Sequence, residues 1–364
     1  MAETVPDPKT GASKQAQAPT SPASKRRLWL AVGGCVAVLA VVIGGVWLFS
    51  KPAKTPPPPA APVGPAQELR VGNVGEYSIL NLVAKQQGYF QAHGINATIT
   101  EYSSGPPGIA DLLAGKVDVA VAADFVGVTN IFKPNDLRIL AQVSNQDVFQ
   151  VVARKDKGIS RPSDLRGKRI GVTKRGAGEF FLGRFATLNN MALSDLVISD
   201  LSPPEMVSKL KNGELDAVLV FEPHVYNLRK DLGDSVVVWS AQGGMATLAV
   251  LYSTSGFVQA HPEMVEQYLA ALSEAEAFVA GHPQQAQAIL SQALNYDPAY
   301  VGYLWPKIHF GLSLDQRLLL TMEDQARFSI ENGLTTQTKV PNYLNYIYFP
   351  GLETVKPGAV TIVR

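Results

Sequence analysis

Two acidic residues that follow apolar runs are the first candidates for chemistry in this sequence. Asp124 ends a run that starts at Val117, and Glu222 ends a similar run that starts at Leu215. In an open α/β sheet, ligands bind beyond the carboxyl ends of the strands, so both carboxylates are expected at a ligand cleft. A carboxylate there accepts charge-assisted hydrogen bonds from an amine or an aminopyrimidine edge. The alternatives for both residues are the capping of a loop and a contact between two lobes.

Two short loops have the composition of an anion site. They are Ser103, Ser104 and Gly105, and Gly176, Ala177 and Gly178. The first loop supplies hydroxyls and backbone N–H groups at a strand end. The second precedes an expected helix start at Glu179, where the helix dipole contributes about half a positive charge. A sulfonate, nitrate or carboxylate suits both loops, although Glu179 opposes an anion if it points inward. A tight turn is the alternative for the second loop.

Aromatic residues complete the predicted ligand-binding set, because Tyr77 and Phe125 could each stack on a ring of the solute. The set as a whole favours a zwitterion or an aromatic amine over bare nitrate. Signatures of catalysis are missing from the sequence, which has no Gly-x-Ser-x-Gly elbow, no Walker loop and no His-Glu-x-x-His. Its five histidines are scattered and its one cysteine is Cys35, so a structural metal site is not expected. The sequence therefore predicts no catalytic residue, no metal and no cofactor.

The elements that must position these residues occur twice. The recurring pattern is Leu112-x-x-Gly115-x-Val117-Asp118 and, 98 residues later, Leu210-x-x-Gly213-x-Leu215-Asp216. From Glu68 onward, short β-branched runs alternate with helical patterns, which is typical of βαβ units around a parallel sheet. The pattern predicts two similar α/β lobes in series. A helix, glycine cap and buried strand shared by two unrelated units is the alternative to an internal duplication.

Beyond Trp239 the pattern becomes helical. Pro262 is expected to open a helix that Gly281 closes, and Pro283 opens the next one. The apolar face of the first of these helices is Met264, Val265, Tyr268, Leu269, Leu272 and Val279. These faces are interpreted as packing surfaces for the lobes.

The first 67 residues differ in composition from the rest. Residues 1–27 contain too little apolar surface to fold and are predicted to be a disordered cytoplasmic tail. Residues 28–50 are predicted to be a transmembrane anchor, since 28–49 are uncharged and long enough to span a bilayer. A cleaved signal peptide and a buried core helix are the alternatives. Residues 51–67 contain seven prolines and are predicted to form a semi-rigid linker.

The charge balance follows the same division. The chain has 364 residues, with 32 Lys and Arg against 31 Asp and Glu. Residues 1–67 hold 7 of the basic and 2 of the acidic residues, so the remainder carries 25 against 29. This near balance offers no whole-molecule charge that would attract nucleic acid. A modest excess of basic residues before the span favours an N-terminus inside the cell and a folded domain outside the cytoplasmic membrane.

Five segments, in order, carry a resemblance to a known family. They are Gly88-Tyr89-Phe90 with Gly94-Ile95, Ala110 to Asp118, Asp164 to Val172, Gly213 to Ala217 with Glu222-Pro223-His224, and His261-Pro262-Glu263. Together they resemble the periplasmic solute-binding proteins of ABC importers, in the group that takes nitrate, alkanesulfonates, taurine and pyrimidine precursors of thiamine. The resemblance covers about residues 68 to 350.

This resemblance implies an α/β, two-lobed periplasmic-binding-protein-like (type II) clamshell. It also implies that the chain leaves lobe I near residue 155 and returns near 240, so that lobe I is 68–155 plus 240–364 and lobe II is 156–239. The expected function is a membrane-anchored, periplasmic solute-binding protein that delivers a sulfonate, taurine or aminopyrimidine-like solute to an ABC permease and its ATPase. The alternatives are a tethered sensory or scaffolding module and an enzyme of the pyrimidine-synthesis type.

Overall fold

The computed structural model describes residues 66–364 of the chain. The predicted tail, the predicted membrane span and nearly all of the predicted linker therefore lie outside the described residues. Within residues 66–364, no helix is both long enough and apolar enough to cross a bilayer. The described part is built on two β-sheets with helices packed against them.

Eleven strands make up the two sheets in the described part of the chain. In chain order they are β1 (Gln67–Asn73), β2 (Ile95–Glu101), β3 (Val119–Ala123), β4 (Leu137–Gln146), β5 (Gln150–Arg154), β6 (Arg169–Val172), β7 (Val197–Asp200), β8 (Ala217–Val220), β9 (Val236–Ser240), β10 (Thr247–Thr254) and β11 (Ile308–Ser313). The first sheet has the order β11-β4-β10-β3-β1-β2, and the second has the order β7-β6-β8-β5-β9.

The helices lie on both sheets and between them. In chain order they are α1 (Ile79–Gln86), α2 (Tyr89–Ala92), α3 (Gly105–Leu113), α4 (Asp124–Ile131), α5 (Ala177–Leu188), α6 (Pro203–Lys211), α7 (His224–Leu232), α8 (Ser255–Ala260), α9 (Pro262–Gly281), α10 (Pro283–Leu294), α11 (Pro298–Leu304), α12 (Gln316–Glu331) and α13 (Phe349–Val355). We call the six-stranded sheet with α1–α4 and α8–α13 lobe I, and the five-stranded sheet with α5–α7 lobe II. The bounds of α9 match the predicted proline start and glycine end.

The two sheets share one topology. In each, a central strand pairs in parallel with two neighbours: β1 with β2 and β3, and β6 with β7 and β8. The fourth position is then taken by an antiparallel strand that has just crossed from the other lobe, β10 in lobe I and β5 in lobe II. This exchange joins the lobes through two chain segments.

The crossings differ in part from the division implied by the resemblance. The first crossing lies at residues 147–149, because β5 pairs on both sides within the second sheet, with β8 and with β9. The division implied by the resemblance places the whole of this strand in lobe I, whereas the strand pairing places it in lobe II. A buried run such as Val151 to Ala153 suits either sheet, and only the pairing distinguishes them. The return crossing lies at residues 241–246, between β9 and β10.

The repeated sequence pattern corresponds to a repeated ion pair, which we call the arginine–aspartate corner. Asp118 accepts hydrogen bonds from the backbone N–H and the Nε of Arg70, at 2.8 and 3.0 Å. Asp216 accepts the same pair from Arg169, at 2.9 and 3.2 Å. The hydrogen bonds from Arg169 lower the pKa of Asp216. Each corner fastens a central strand, at Arg70 of β1 or Arg169 of β6, to the start of its parallel neighbour, β3 or β8.

Candidate functional site

A cavity lies between the lobes at the carboxyl ends of the parallel strands, opposite the corners. The volume of the cavity is about 40 Å³. Within residues 66–364, no charged side chain lines it, and most of its wall is aliphatic or aromatic. The polar side chains in the wall are Tyr77, Ser104, Gln146, Thr173 and Thr247. The cavity is therefore apolar, with a few neutral hydrogen-bonding groups.

Three helices begin at this cavity. Their N-cap residues are Ser104 for α3, Ala123 for α4 and Gly176 for α5, all of which line the cavity. None of the three N-cap residues accepts a hydrogen bond through its side chain. The first N–H groups of a helix have no partner within the helix, and they carry the positive end of its dipole. The positive ends of three helix dipoles therefore lie at the cavity. The first turns of α4 and α5 also contain Asp124 and Glu179, but neither of these residues lines the cavity.

The two predicted anion loops face each other across the cavity. Of the ten residues predicted to bind the ligand, six lie in its wall: Tyr77, Ser104, Gly105, Gly176, Ala177 and Gly178. A Cβ atom on Gly176 would lie 3.7 Å from the Pro106 ring of the opposite lobe. This distance is an ordinary van der Waals contact, so the two loops lie close together. Contact of these six residues with a solute remains a prediction.

The remaining four predicted residues do not line the cavity. Ser103 is exposed, one residue before the part of its loop that faces inward. Phe125 is fully buried and packs against Phe180 and Phe328, with ring centroids 5.6 and 6.4 Å away. Its ring is part of the contact between lobes and cannot stack on a solute.

Asp124 lies behind the cavity wall. Its side chain is fully buried, and Oδ1 accepts a hydrogen bond from the N–H of Phe125 at 2.9 Å. Oδ2 has no hydrogen-bond partner within the described part of the chain. Burial raises the pKa of Asp124 to about 7. The strand-end rule placed this residue near the cleft correctly, but the first turn of α4 directs the carboxyl group into the core.

Glu222 makes the contact between lobes that sequence analysis gave as its alternative role. Its fully buried carboxylate accepts hydrogen bonds from the Tyr226 N–H at 2.9 Å and from Tyr303 Oη at 3.1 Å, and Lys307 Nζ lies 3.4 Å away. Tyr303 and Lys307 belong to lobe I, whereas Glu222 belongs to lobe II. The carboxylate is thus occupied and is not a site for a ligand amine.

A second buried carboxyl group, which sequence analysis missed, lies near this contact. Glu76 accepts hydrogen bonds from Tyr296 Oη at 3.1 Å and Tyr300 Oη at 3.5 Å. Burial, with a smaller contribution from the charge of Glu222, raises the pKa of Glu76 to about 8. Glu76 lies three residues after the end of β1, but its tyrosine partners lie 220 and 224 residues later, so no local signal identifies the cluster.

Three polar residues in the wall were also missed. Gln146 ends β4, and its Oε1 accepts a hydrogen bond from Ser144 at 3.1 Å. This bond leaves its amide nitrogen as the donor available to the cavity. Thr173 and Thr247 lie at strand termini, and threonine is common in strands, so neither stands out in the sequence.

The lobes touch on both sides of the cavity. On one side, the Tyr77 ring lies 5.7 Å from that of Phe221. On the other, the Phe180 ring of α5 lies 5.1 Å from Phe328 of α12. The structure therefore shows the lobes closed around a small space.

Two lobes of this topology, joined by two crossings around a cleft, define a periplasmic-binding-protein fold. An alkanesulfonate-binding protein from Xanthomonas axonopodis pv. citri, solved with bound MOPS, matches with a TM-score of 0.68 at 19% identity, over 79% of this chain and 99% of that chain. This similarity confirms the predicted α/β periplasmic-binding-protein-like fold.

The chain belongs to the NMT1/THI5-like family, whose model matches residues 76–286. A putative aliphatic sulfonates-binding protein of Bacillus subtilis is 25% identical over 242 residues, which cover 65% of this chain and 72% of that protein. The taurine-binding periplasmic protein of Escherichia coli is 33% identical over 125 residues, 33% of this chain and 38% of that protein. The resemblance identified from the sequence is thereby confirmed.

Proposed function

We propose that this protein is an extracytoplasmic solute-binding protein that captures a small organic anion of the sulfonate class between its lobes for an ABC importer. The observation that carries the proposal is the uncharged cavity onto which three helix N-termini open. Helix N-termini hold anions through backbone N–H groups and the helix dipole. The names of the relatives described above support the same class of solute.

The residues that line the cavity limit the chemical class of the solute. A carboxylate in the wall would favour an amine, but Asp124 and Glu222 both lie outside the wall, so the amine alternatives lose their main support. The apolar wall favours an anion with a hydrocarbon part over bare nitrate. A volume of about 40 Å³ is only a few times the ~10 to 15 Å³ that one water molecule requires. A sulfonate therefore enters when the lobes separate.

The two lobes are expected to close because the solute binds the closed state more tightly than the open state. A solute that binds both lobes at once stabilises the closed state relative to the open one. The aromatic contacts on either side of the cavity belong to the closed state and add to its stability.

Calorimetric titration of the full chain with ethanesulfonate and with ethylammonium tests the proposal. We expect binding of ethanesulfonate only. The Ser104→Asp substitution should weaken that binding at least about tenfold, a loss of ~1.4 kcal/mol or more, because it places a carboxylate at the anion site. Ser104 makes no capping hydrogen bond, and Pro106 and Pro107 have no N–H to donate one, so the substitution removes no hydrogen bond that holds α3.

Thr254→Asp is the matched control for this experiment. Thr254 is the N-cap of α8, away from the cavity, and its side chain accepts a hydrogen bond from Phe257 N–H that aspartate can also accept. The control should bind ethanesulfonate as the wild type does. If the Ser104→Asp variant and the wild type bind ethanesulfonate with equal affinity, the anion does not bind at the N-terminus of α3.

A further inference from the structure

One glutamine joins the two crossings between the lobes. Gln242 lies in the return crossing and its side chain is fully buried. Its Oε1 accepts hydrogen bonds from the N–H groups of Val148 and Phe149, in the outgoing crossing, at 2.6 and 2.8 Å. A single side-chain oxygen therefore satisfies two consecutive backbone donors that have no strand partner in this segment.

The amide nitrogen of Gln242 binds the ends of the adjoining strands. It donates to the carbonyl oxygens of Gln146 and Met245, at 3.0 and 2.7 Å, and lies 3.3 Å from Thr247 Oγ1. The backbone carbonyl of Gln242 also accepts a hydrogen bond from Arg184 Nε of α5 at 3.0 Å. Gln242 thus contacts β4, β10, both crossings and a helix of lobe II.

Three of the residues that Gln242 holds also line the cavity. They are Gln146, Phe149 and Thr247. The Phe149 ring packs 5.3 Å from the rings of both Phe181 and Phe221, so its backbone position determines where the lobe II wall lies. A shift of the crossings would therefore move a polar donor, an aromatic wall and a hydroxyl together.

We propose that Gln242 is a positioning residue for solute binding, which sets the angle between the lobes in the closed state and directs Gln146, Phe149 and Thr247 at the solute. The proposal rests on the proposed function. Buried backbone groups that lose their partners favour conformations in which water can reach them, and here such conformations require the lobes to part. Gln242 itself lies outside the cavity wall and acts through the residues it holds.

The test compares Gln242→Met with Gln325→Met in the full chain. Both glutamines are fully buried, and methionine has a similar length without an amide. The amide atoms of Gln325 make no hydrogen bond of good geometry within residues 66–364, although the amide partly offsets the effect of burial on the pKa of Asp124. Gln325→Met therefore removes a buried amide next to Asp124 and leaves the hydrogen bonds of both crossings intact. Fluorophores on cysteines at Lys85 and Lys230, with Cys35 replaced by serine, report the distance between the lobes.

Without solute, we expect Gln242→Met to lengthen and broaden the distribution of distances between the lobes, and Gln325→Met to leave it unchanged. With ethanesulfonate, we expect Gln242→Met to raise the dissociation constant at least about tenfold, because a smaller fraction of molecules is competent to bind. Gln242→Glu keeps the acceptor oxygen for Val148 and Phe149 but turns a second oxygen toward the carbonyls of Gln146 and Met245, so it should also raise the dissociation constant. It serves where the methionine variant does not fold.

The outcomes separate the two proposals. If the wild type does not bind ethanesulfonate, the proposed solute is wrong. The distances measured without solute still test whether Gln242 sets the angle between the lobes. If Gln242→Met or Gln242→Glu matches Gln325→Met in both distance and affinity, Gln242 is a packing residue and the positioning role is overturned.

Discussion

Glu76 shows what burial does to a carboxyl group that has no cation beside it. Burial raises the pKa of Glu76 from 4.5 to about 8, and that of Asp124 from 3.8 to about 7. At a pH between the unfolded and the folded pKa of either group, the folded protein holds a proton that the unfolded chain has released. The free energy of unfolding therefore decreases as pH rises through this interval. Burial also lowers the pKa of His224 from 6.5 to about 4, which has the opposite effect below pH 6.5. Of these three groups, only the carboxyls act between about pH 6.5 and 8.

The Glu76→Gln substitution isolates one of these groups. The wild-type free energy of unfolding should fall from pH 6.5 to 8, and the variant should lose about 1 to 2 kcal/mol less over this interval, since one titrating proton contributes up to ~1.4 kcal/mol per pH unit. Chemical denaturation at several pH values measures this slope. Glu331→Gln, at an exposed position, should retain the wild-type slope. A wild-type slope in the Glu76→Gln variant would mean that Glu76 is ionised at pH 7.

At the scale of elements, the contact between α5 and α12 depends on a glycine. A Cβ atom on Gly183 would lie 2.2 Å from Phe328 Cζ, which is far inside van der Waals contact. Phe328 also packs edge-on against Phe180. The absence of a side chain at Gly183 is what lets the helices of the two lobes approach on this side of the cavity.

Gly183→Ala should therefore lower the free energy of unfolding by about 1 to 3 kcal/mol, the usual cost of overpacking. Denaturant titration measures the change. Gly256, in α8, has open space around it, so Gly256→Ala should be neutral or stabilising by up to about 1 kcal/mol. If both alanines behave alike, α5 and α12 are free to separate and the contact adds little to stability.

Elements were easier to predict than the directions of their side chains. Helix α9 and the two glycine loops follow local rules of periodicity and capping, which nearby residues determine. Whether Asp124 faces the cavity or the core depends on α12, which packs on α4 from almost two hundred residues later. The same holds for Gln242, whose partners in the other crossing and at the end of β4 lie 93 to 96 residues away. Such roles have no signature within a sequence window.

At the scale of the whole molecule, the sequence divides into a basic, proline-rich segment and a mildly acidic folded part. Residues 28–49 remain our proposed membrane anchor, and the proposed importer supplies a permease and an ATPase as partners. A chain that lacks residues 28–49 should leave the membrane fraction on cell fractionation, while the full chain stays in it. Recovery of both in the soluble fraction would exclude the anchor.

The same preparation addresses the alternative of a tethered sensory or scaffolding module. Solubilised full chain should co-purify with a permease and an ATPase under the importer proposal. Co-purification with a signalling protein, in the absence of both transport subunits, would favour the sensory alternative.

The arginine–aspartate corners have a consequence for how this molecule can change. Each corner joins a central strand to the amino end of its parallel neighbour, and the cavity lies at the carboxyl ends of these strands. The side chains that join the strands within a lobe are thus separate from the residues that select a solute. Mutations can accumulate around Ser104 and Gly176 while the fastening of each sheet is untouched. The fold is accordingly a good starting point for the evolution or engineering of new specificities, by exchange of its short loops alone.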